Sequence, residues 1–93
     1  MTGIGKIWAK RVQAGTQNAC DCPREYRDTM LQCIADNDTR HKLLVDCIES
    51  DIGKKSFPTR QTARDYIGVK FSSGEISESE MLDLVDKVDS AYV

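Results

Sequence analysis

No apolar run in this chain approaches the roughly 20 residues that cross a bilayer, so no membrane-spanning segment is expected. The start, "MTGIGKIWAKRV", places lysine and arginine after its apolar residues and has no apolar core of a secretory signal. With Met1 in place, this predicts a cytoplasmic protein, where thiols stay reduced. Strand alternation, internal repeats and low-complexity tracts are all missing, which leaves helices. Nucleotide-binding glycine loops, H-E-x-x-H and G-x-S-x-G are missing too. "GKK" at Gly53–Lys55 lacks the upstream glycine and following hydroxyl residue of a phosphate loop, and the acids near the C-terminus lack EF-hand spacing. Histidine occurs once, as His41 between Arg40 and Lys42, where it is expected to face solvent. No motif sets a cysteine beside it for nucleophilic catalysis.

What remains is a 93-residue chain, 40% hydrophobic and 30% charged, in the range of a folded globular domain. One helical domain over residues 1–93 is expected. A chain this short buries only about two-thirds of its unfolded surface, which suits a binding module better than an enzyme with a deep cleft. Net charge is −2 and unevenly spread. Lys6, Lys10 and Arg11 come first without an acid, and Lys54, Lys55, Arg60, Arg64 and Lys70 make the middle basic. The tail is acidic, with Glu75, Glu78, Glu80, Asp83, Asp86 and Asp89. Basic and acidic helices pairing within one fold account for this better than a nucleic-acid face.

Periodicity and end signals predict five short helices. The first, about Ile4 to Ala14, has Ile4, Ile7, Trp8 and Val12 as its stripe, Lys6, Lys10 and Gln13 outward, and Gly15 as its cap. The second begins at Pro23, with Tyr26, Met30, Cys33 and Ile34 in line. "ADNDT" interrupts it, and Asn37 or Asp38 is placed to cap the third, about Thr39 to Ile52, closed by Gly53. The fourth runs from about Thr59 to Ser72, although "YIGVKF" carries β-formers and a glycine that pull against a helix. "ISESEM" is a capping box, Ser77 with Glu80, inside a hydrophobic staple, Ile76 with Met81. The last helix then runs to about Tyr92, with Leu82 at the margin of its stripe. The fold class is therefore all-α, a small bundle of four to five short helices.

Three sets of residues compete as sites. Trp8, Lys10 and Arg11 form a candidate partner-binding group, because tryptophan anchors many interfaces. Residues 39–72 form a candidate helix-turn-helix, with Lys54, Lys55, Arg60, Gln61 and Arg64 at the turn and reading helix. Its turn is longer than the usual three or four residues, and the chain lacks the basic excess of nucleic-acid binders. Cys20, Cys22, Cys33 and Cys47 are a third candidate, for zinc. Their first pair is C-x-C rather than the usual C-x2-C, no second close pair exists, and Cys33 and Cys47 read as small core residues. A bridge from Cys20 or Cys22 to a core cysteine stays geometrically open.

Trp8, Ala9, Val12, Gly15, Pro23, Tyr26 and Arg27 lie in an order that resembles short proteins of Gram-positive prophages and other mobile elements. In those proteins an aromatic helix leads through glycine and a short linker to a proline and Tyr-Arg, with valine usual where Cys22 stands here. The resemblance covers less than a third of the chain. It implies a phage-type accessory protein, structural or inhibiting a host system, and it transfers no catalytic residue. "FSSGEISESEMLDLV" resembles the ends of small helical antitoxins, but no glutamate here precedes glycine or asparagine as in the Fic-inhibiting branch. The expected function is binding to another protein, of host or phage, without catalysis or cofactor and without a membrane. Self-association is left open. A DNA-binding regulator is the alternative, and a zinc-stabilised module the third.

Overall fold

The computed structural model describes residues 3–92. Five α-helices account for most of them: α1 (Gly3–Gln13), α2 (Arg24–Gln32), α3 (Asn37–Gly53), α4 (Arg60–Ser72) and α5 (Glu78–Ala91). A short 3-10 helix, Ala19–Asp21, lies between α1 and α2. No strand occurs among the described residues. The chain is a small all-α bundle, the class its periodicity predicts. "YIGVKF" is helical and forms the C-terminal half of α4, so its β-formers yield to the helix that leads into them.

The chain divides into two compact units, Met1–Leu44 and Val45–Val93, with the boundary inside α3. In the first unit α1 lies close against α2 and the 3-10 helix. Its buried residues include Ala9, Ala19, Cys22, Met30, Leu31 and Ile34. In the second, α4 lies close against α5. There Ala63 and Ile67 of α4 and Leu84 and Val88 of α5 are buried, as are Cys47, Ile48 and Ile52 of α3.

Helix starts follow side-chain chemistry. Thr59 caps α4 by accepting from the Thr62 amide at 3.1 Å. Ser77 and Glu80 form the expected capping box on α5: the Glu80 amide donates to Ser77 Oγ at 3.2 Å, and the Ser77 amide donates to Glu80 Oε1 at 2.8 Å. The α3 cap differs from expectation. Asp36, not Asn37 or Asp38, accepts from the Thr39 amide at 2.9 Å and from its hydroxyl at 2.5 Å, so α3 starts earlier. Those bonds hold the Asp36 carboxyl below its ordinary pKa, with a smaller pull from Arg40.

Three helices end alike. After α1 the Gly15 amide bonds to Val12 O and the Thr16 amide to Arg11 O, with Gly15 in the left-handed region at φ 79°. After α4 the same pattern forms around Gly74, φ 81°, with Glu75 donating to Lys70 O. After α3 it forms around Lys55, φ 55°, with Ser56 donating to Asp51 O. Gly53, expected to close that helix, is still helical, and the left-handed position falls two residues later on a lysine. The loop beyond is tied to the C-terminus: Tyr92 Oη accepts from the Phe57 amide at 3.1 Å and donates to its carbonyl at 3.2 Å.

Candidate interaction surface

Gly5, on the inner face of α1, sets which side of that helix faces out. A Cβ there would sit 2.5 Å from Thr29 Cγ2 and 2.9 Å from Thr29 Cβ, so only glycine admits this approach of α2. Ala9, one turn on, continues the small-residue seam and is buried. The seam turns α1 away from its expected orientation. Trp8 and Val12 are half-buried, whereas Ile4 and Ile7, assigned to the core stripe by periodicity, are 48% and 50% exposed. Ile4, Ile7 and Arg11 follow at i, i+3 and i+7, so they share one outward line beside Trp8. Lys6, Lys10 and Arg11 are exposed as well, and α1 contains no acid. No ion pair is recorded for these three among the described residues. Their last two members suit the negative end of the helix. The expected partner group of Trp8, Lys10 and Arg11 thus lies on or beside a basic, partly apolar face, with Ile4 and Ile7 added to it.

A second outward apolar residue sits among charges of the other sign. Leu82 of α5 is 58% exposed, with Glu78 and Asp86 one turn to either side. Asp89, further along α5, faces Arg60 Nε at 4.0 Å and Arg64 Nη1 at 3.9 Å on α4. Lys87 pairs with Glu49 and with Asp83, the latter at 3.1 Å, and these two carboxylates raise its pKa. On α4 itself, Arg64, Asp65, Gly68, Val69, Ser72 and Ser73 line a shallow depression.

The candidate DNA-reading residues are therefore partly engaged. Arg60 and Arg64 meet Asp89, and Gln61 donates to Asp65 Oδ1 at 2.7 Å. Lys54 and Lys55 are exposed in the turn after α3. The pairing of a basic and an acidic helix that the charge pattern predicts holds here, between α4 and α5.

None of the four cysteines is in a disulfide bridge. Cys22 and Cys47 are buried, Cys20 is half-buried, and Cys33 is exposed at the end of α2. Cys33 corrects the expected stripe, in which Leu31 takes the buried place. The helix ends at Gln32, so the helical spacing does not carry on to Cys33; α2 buries Arg27, Met30 and Leu31, and Ile34 is buried beyond its end. Among the described residues no three His, Cys, Asp or Glu side chains cluster as metal ligands. Burial pushes the Cys22 thiol above its ordinary pKa, against a smaller downward pull from Arg27. A thiol so placed is a poor nucleophile.

Arg27 is what the sequence reading missed in "NACDCPREYR". It is 2% exposed, and its Nη2 donates to Cys22 O at 2.9 Å and Cys20 O at 3.4 Å. The guanidinium closes the C-terminal carbonyls of the 3-10 helix, whose N-terminus Asn18 caps through the Cys20 amide at 2.8 Å. Cys20 and Cys22 thus contribute backbone oxygens to a joint, not sulfur to a centre. A residue-type rule would have placed Arg27 in solvent.

No described helix is long and apolar enough to cross a membrane. Comparison with protein families, with curated proteins and with solved structures finds no match to this chain.

Proposed function

We propose that this chain is a non-catalytic protein-binding module that docks its partner on the outer face of α1. The observation that carries this reading is a pair of half-exposed isoleucines, Ile4 and Ile7, on one line with Arg11 and beside Lys10, two cations without an ion pair among the described residues. Covering each isoleucine gains about 1 kcal/mol, and the cations select a partner bearing carboxylates. Trp8 at the edge of the line supplies an anchor. The resemblance to prophage and mobile-element proteins supports a phage-type accessory role in the bacterial cytoplasm, as a structural component or as an inhibitor of a host system. The helix-turn-helix alternative has less behind it, because Arg60 and Arg64 already face Asp89.

The test is a capture experiment from bacterial lysate with immobilised wild-type chain and with Ile7→Asp. The reading expects a protein retained by the wild type and lost by the variant, while circular dichroism of the two stays the same. Recovery of the same proteins by both, or of nothing above a blank matrix, overturns it.

A further inference from the structure

We infer that α1 of one copy docks on α5 of a second copy, so that the chain assembles head to tail with itself. This rests on α1 being a docking face, and it names the occupant. Five large apolar side chains stand exposed among the described residues: Ile4, Ile7, Val69, Phe71 and Leu82. Two of them lie on the helix that has cations and no acid. Leu82 alone lies between two carboxylates, Glu78 and Asp86, which form no ion pair among the described residues. Each face therefore pairs exposed apolar surface with unneutralised charge, and the charges are opposite.

Lengths agree as well. At a rise of about 1.5 Å per residue, Ile4 to Arg11 spans roughly 10 Å and Glu78 to Asp86 roughly 12 Å. Laid together, the isoleucines meet Leu82 while Lys10 and Arg11, both beyond Ile7, meet the acid at one side of it. Like faces do not pair. Two α1 helices would oppose lysine to lysine, and two α5 helices carboxylate to carboxylate. The contact is thus heterologous. Each docked pair keeps one free α1 and one free α5, and assembly continues until a ring closes or a filament grows. A single helix-on-helix contact buries less than about 1,200 Å² in total, so the association is weak and salt-sensitive.

Sedimentation of the purified full chain tests this without any other protein. Between about 10 μM and 1 mM in low salt, the average mass should rise past that of a dimer, and about 0.5 M salt should return it to monomer. Two blocked chains give the decisive measurement: Ile7→Ser with Lys10→Ser on α1, and Leu82→Ser with Asp86→Ser on α5. Each alone should stay monomeric. Mixed in equal amounts they should form dimers and nothing larger, since one intact face remains on each. Circular dichroism checks their helix content. If either loses helix, the exposed single changes Lys10→Gln and Asp86→Asn replace them, each weakening self-association about threefold. A wild-type chain that is monomeric throughout overturns the inference, as does a blocked chain that still self-associates. Neither result touches the lysate capture, which tests the docking face apart from its occupant.

Discussion

In Met1–Leu44 the packing rests on two irregular devices. One is the glycine–alanine seam, Gly5 and Ala9, that lets α1 press on Thr29. The other is a buried guanidinium, Arg27, that holds the carbonyls of the 3-10 helix. In Val45–Val93 the packing is regular. Aliphatic residues recur at helical spacing on α4 and α5, hydroxyl caps start both helices, and the polar contacts between those two helices are exposed ion pairs. The contrast predicts a difference in fragility. A unit that hangs on a few specific side chains concentrates its stability there, whereas a unit built of many similar contacts spreads it.

Truncating the buried cation should have the largest effect. Arg27→Ala removes charge-assisted bonds to two carbonyls and leaves a cavity, at an expected cost of roughly 3 kcal/mol. Its counterpart, Arg64→Ala, breaks only an exposed contact with Asp89 and should cost under about 1 kcal/mol. Urea unfolding of both variants decides the matter. Equal losses would mean that stability is not concentrated at the 3-10 joint.

The same substitution at two helical glycines should go in opposite directions. Gly5→Ala drives a Cβ into Thr29 and to 3.2 Å from the Met30 amide nitrogen. Overpacking of that kind outweighs the better helix propensity of alanine, for a net loss of about 1–2 kcal/mol. Gly68 in α4 has nothing within 4 Å of a built Cβ. Gly68→Ala should therefore gain up to about 1 kcal/mol. Thermal melts that move the same way for both would show that the seam in Met1–Leu44 can relax.

A smaller effect separates helix ends that share one geometry. Lys55 holds the left-handed position that Gly15 and Gly74 hold after α1 and α4. A side chain there is strained, so Lys55→Gly should add about 0.5–1 kcal/mol, while Gly74→Ala should remove a similar amount. Chemical denaturation that finds Lys55→Gly destabilising would place the native lysine in a contact worth more than its strain.

These differences also explain what could be read in advance. The capping box, the Gly15 cap and the core of α5 carry their own signatures: a hydroxyl three residues before a glutamate, a glycine after a stripe, Leu84 and Val88 one turn apart. Each depends on neighbours in sequence. Arg27, Gly5 and the rotation of α1 depend on neighbours in space. Periodicity assigned Ile4 and Ile7 to the core because it weighs hydrophobicity, not the depth to which a partner helix can approach. Gly5 sets that depth, and it turns both isoleucines outward. The candidate site was thus half legible. Lys10 and Arg11 stood out as cations at the end of a helix without acids, but the apolar part of the face followed only from the seam. Cys33 was misplaced because α2 ends at Gln32, so the helical stripe does not continue to it and it stands exposed at the C-cap.

The finest difference lies in how helix starts respond to acid. Thr59 accepts the amide of Thr62 through a hydroxyl, which does not titrate. Asp36 accepts the Thr39 amide through a carboxylate whose pKa is lowered by the hydrogen bonds from Thr39. A lowered folded value means that ionised Asp36 stabilises the fold above its unfolded pKa, about 3.9. That contribution is lost as pH falls through the lower folded value. In an NMR titration the Thr39 amide should shift together with the Asp36 carboxyl, at a midpoint below about 3.9, and the Thr62 amide should not follow it. Asp36→Asn keeps an acceptor at the cap and should abolish the Thr39 transition while leaving α3 helical, because asparagine caps nearly as well as aspartate. Asp36→Ala should fray the start of α3 at every pH. A Thr39 amide that titrates unchanged in Asp36→Asn would assign the proton to another group and leave the cap without a pH dependence of its own.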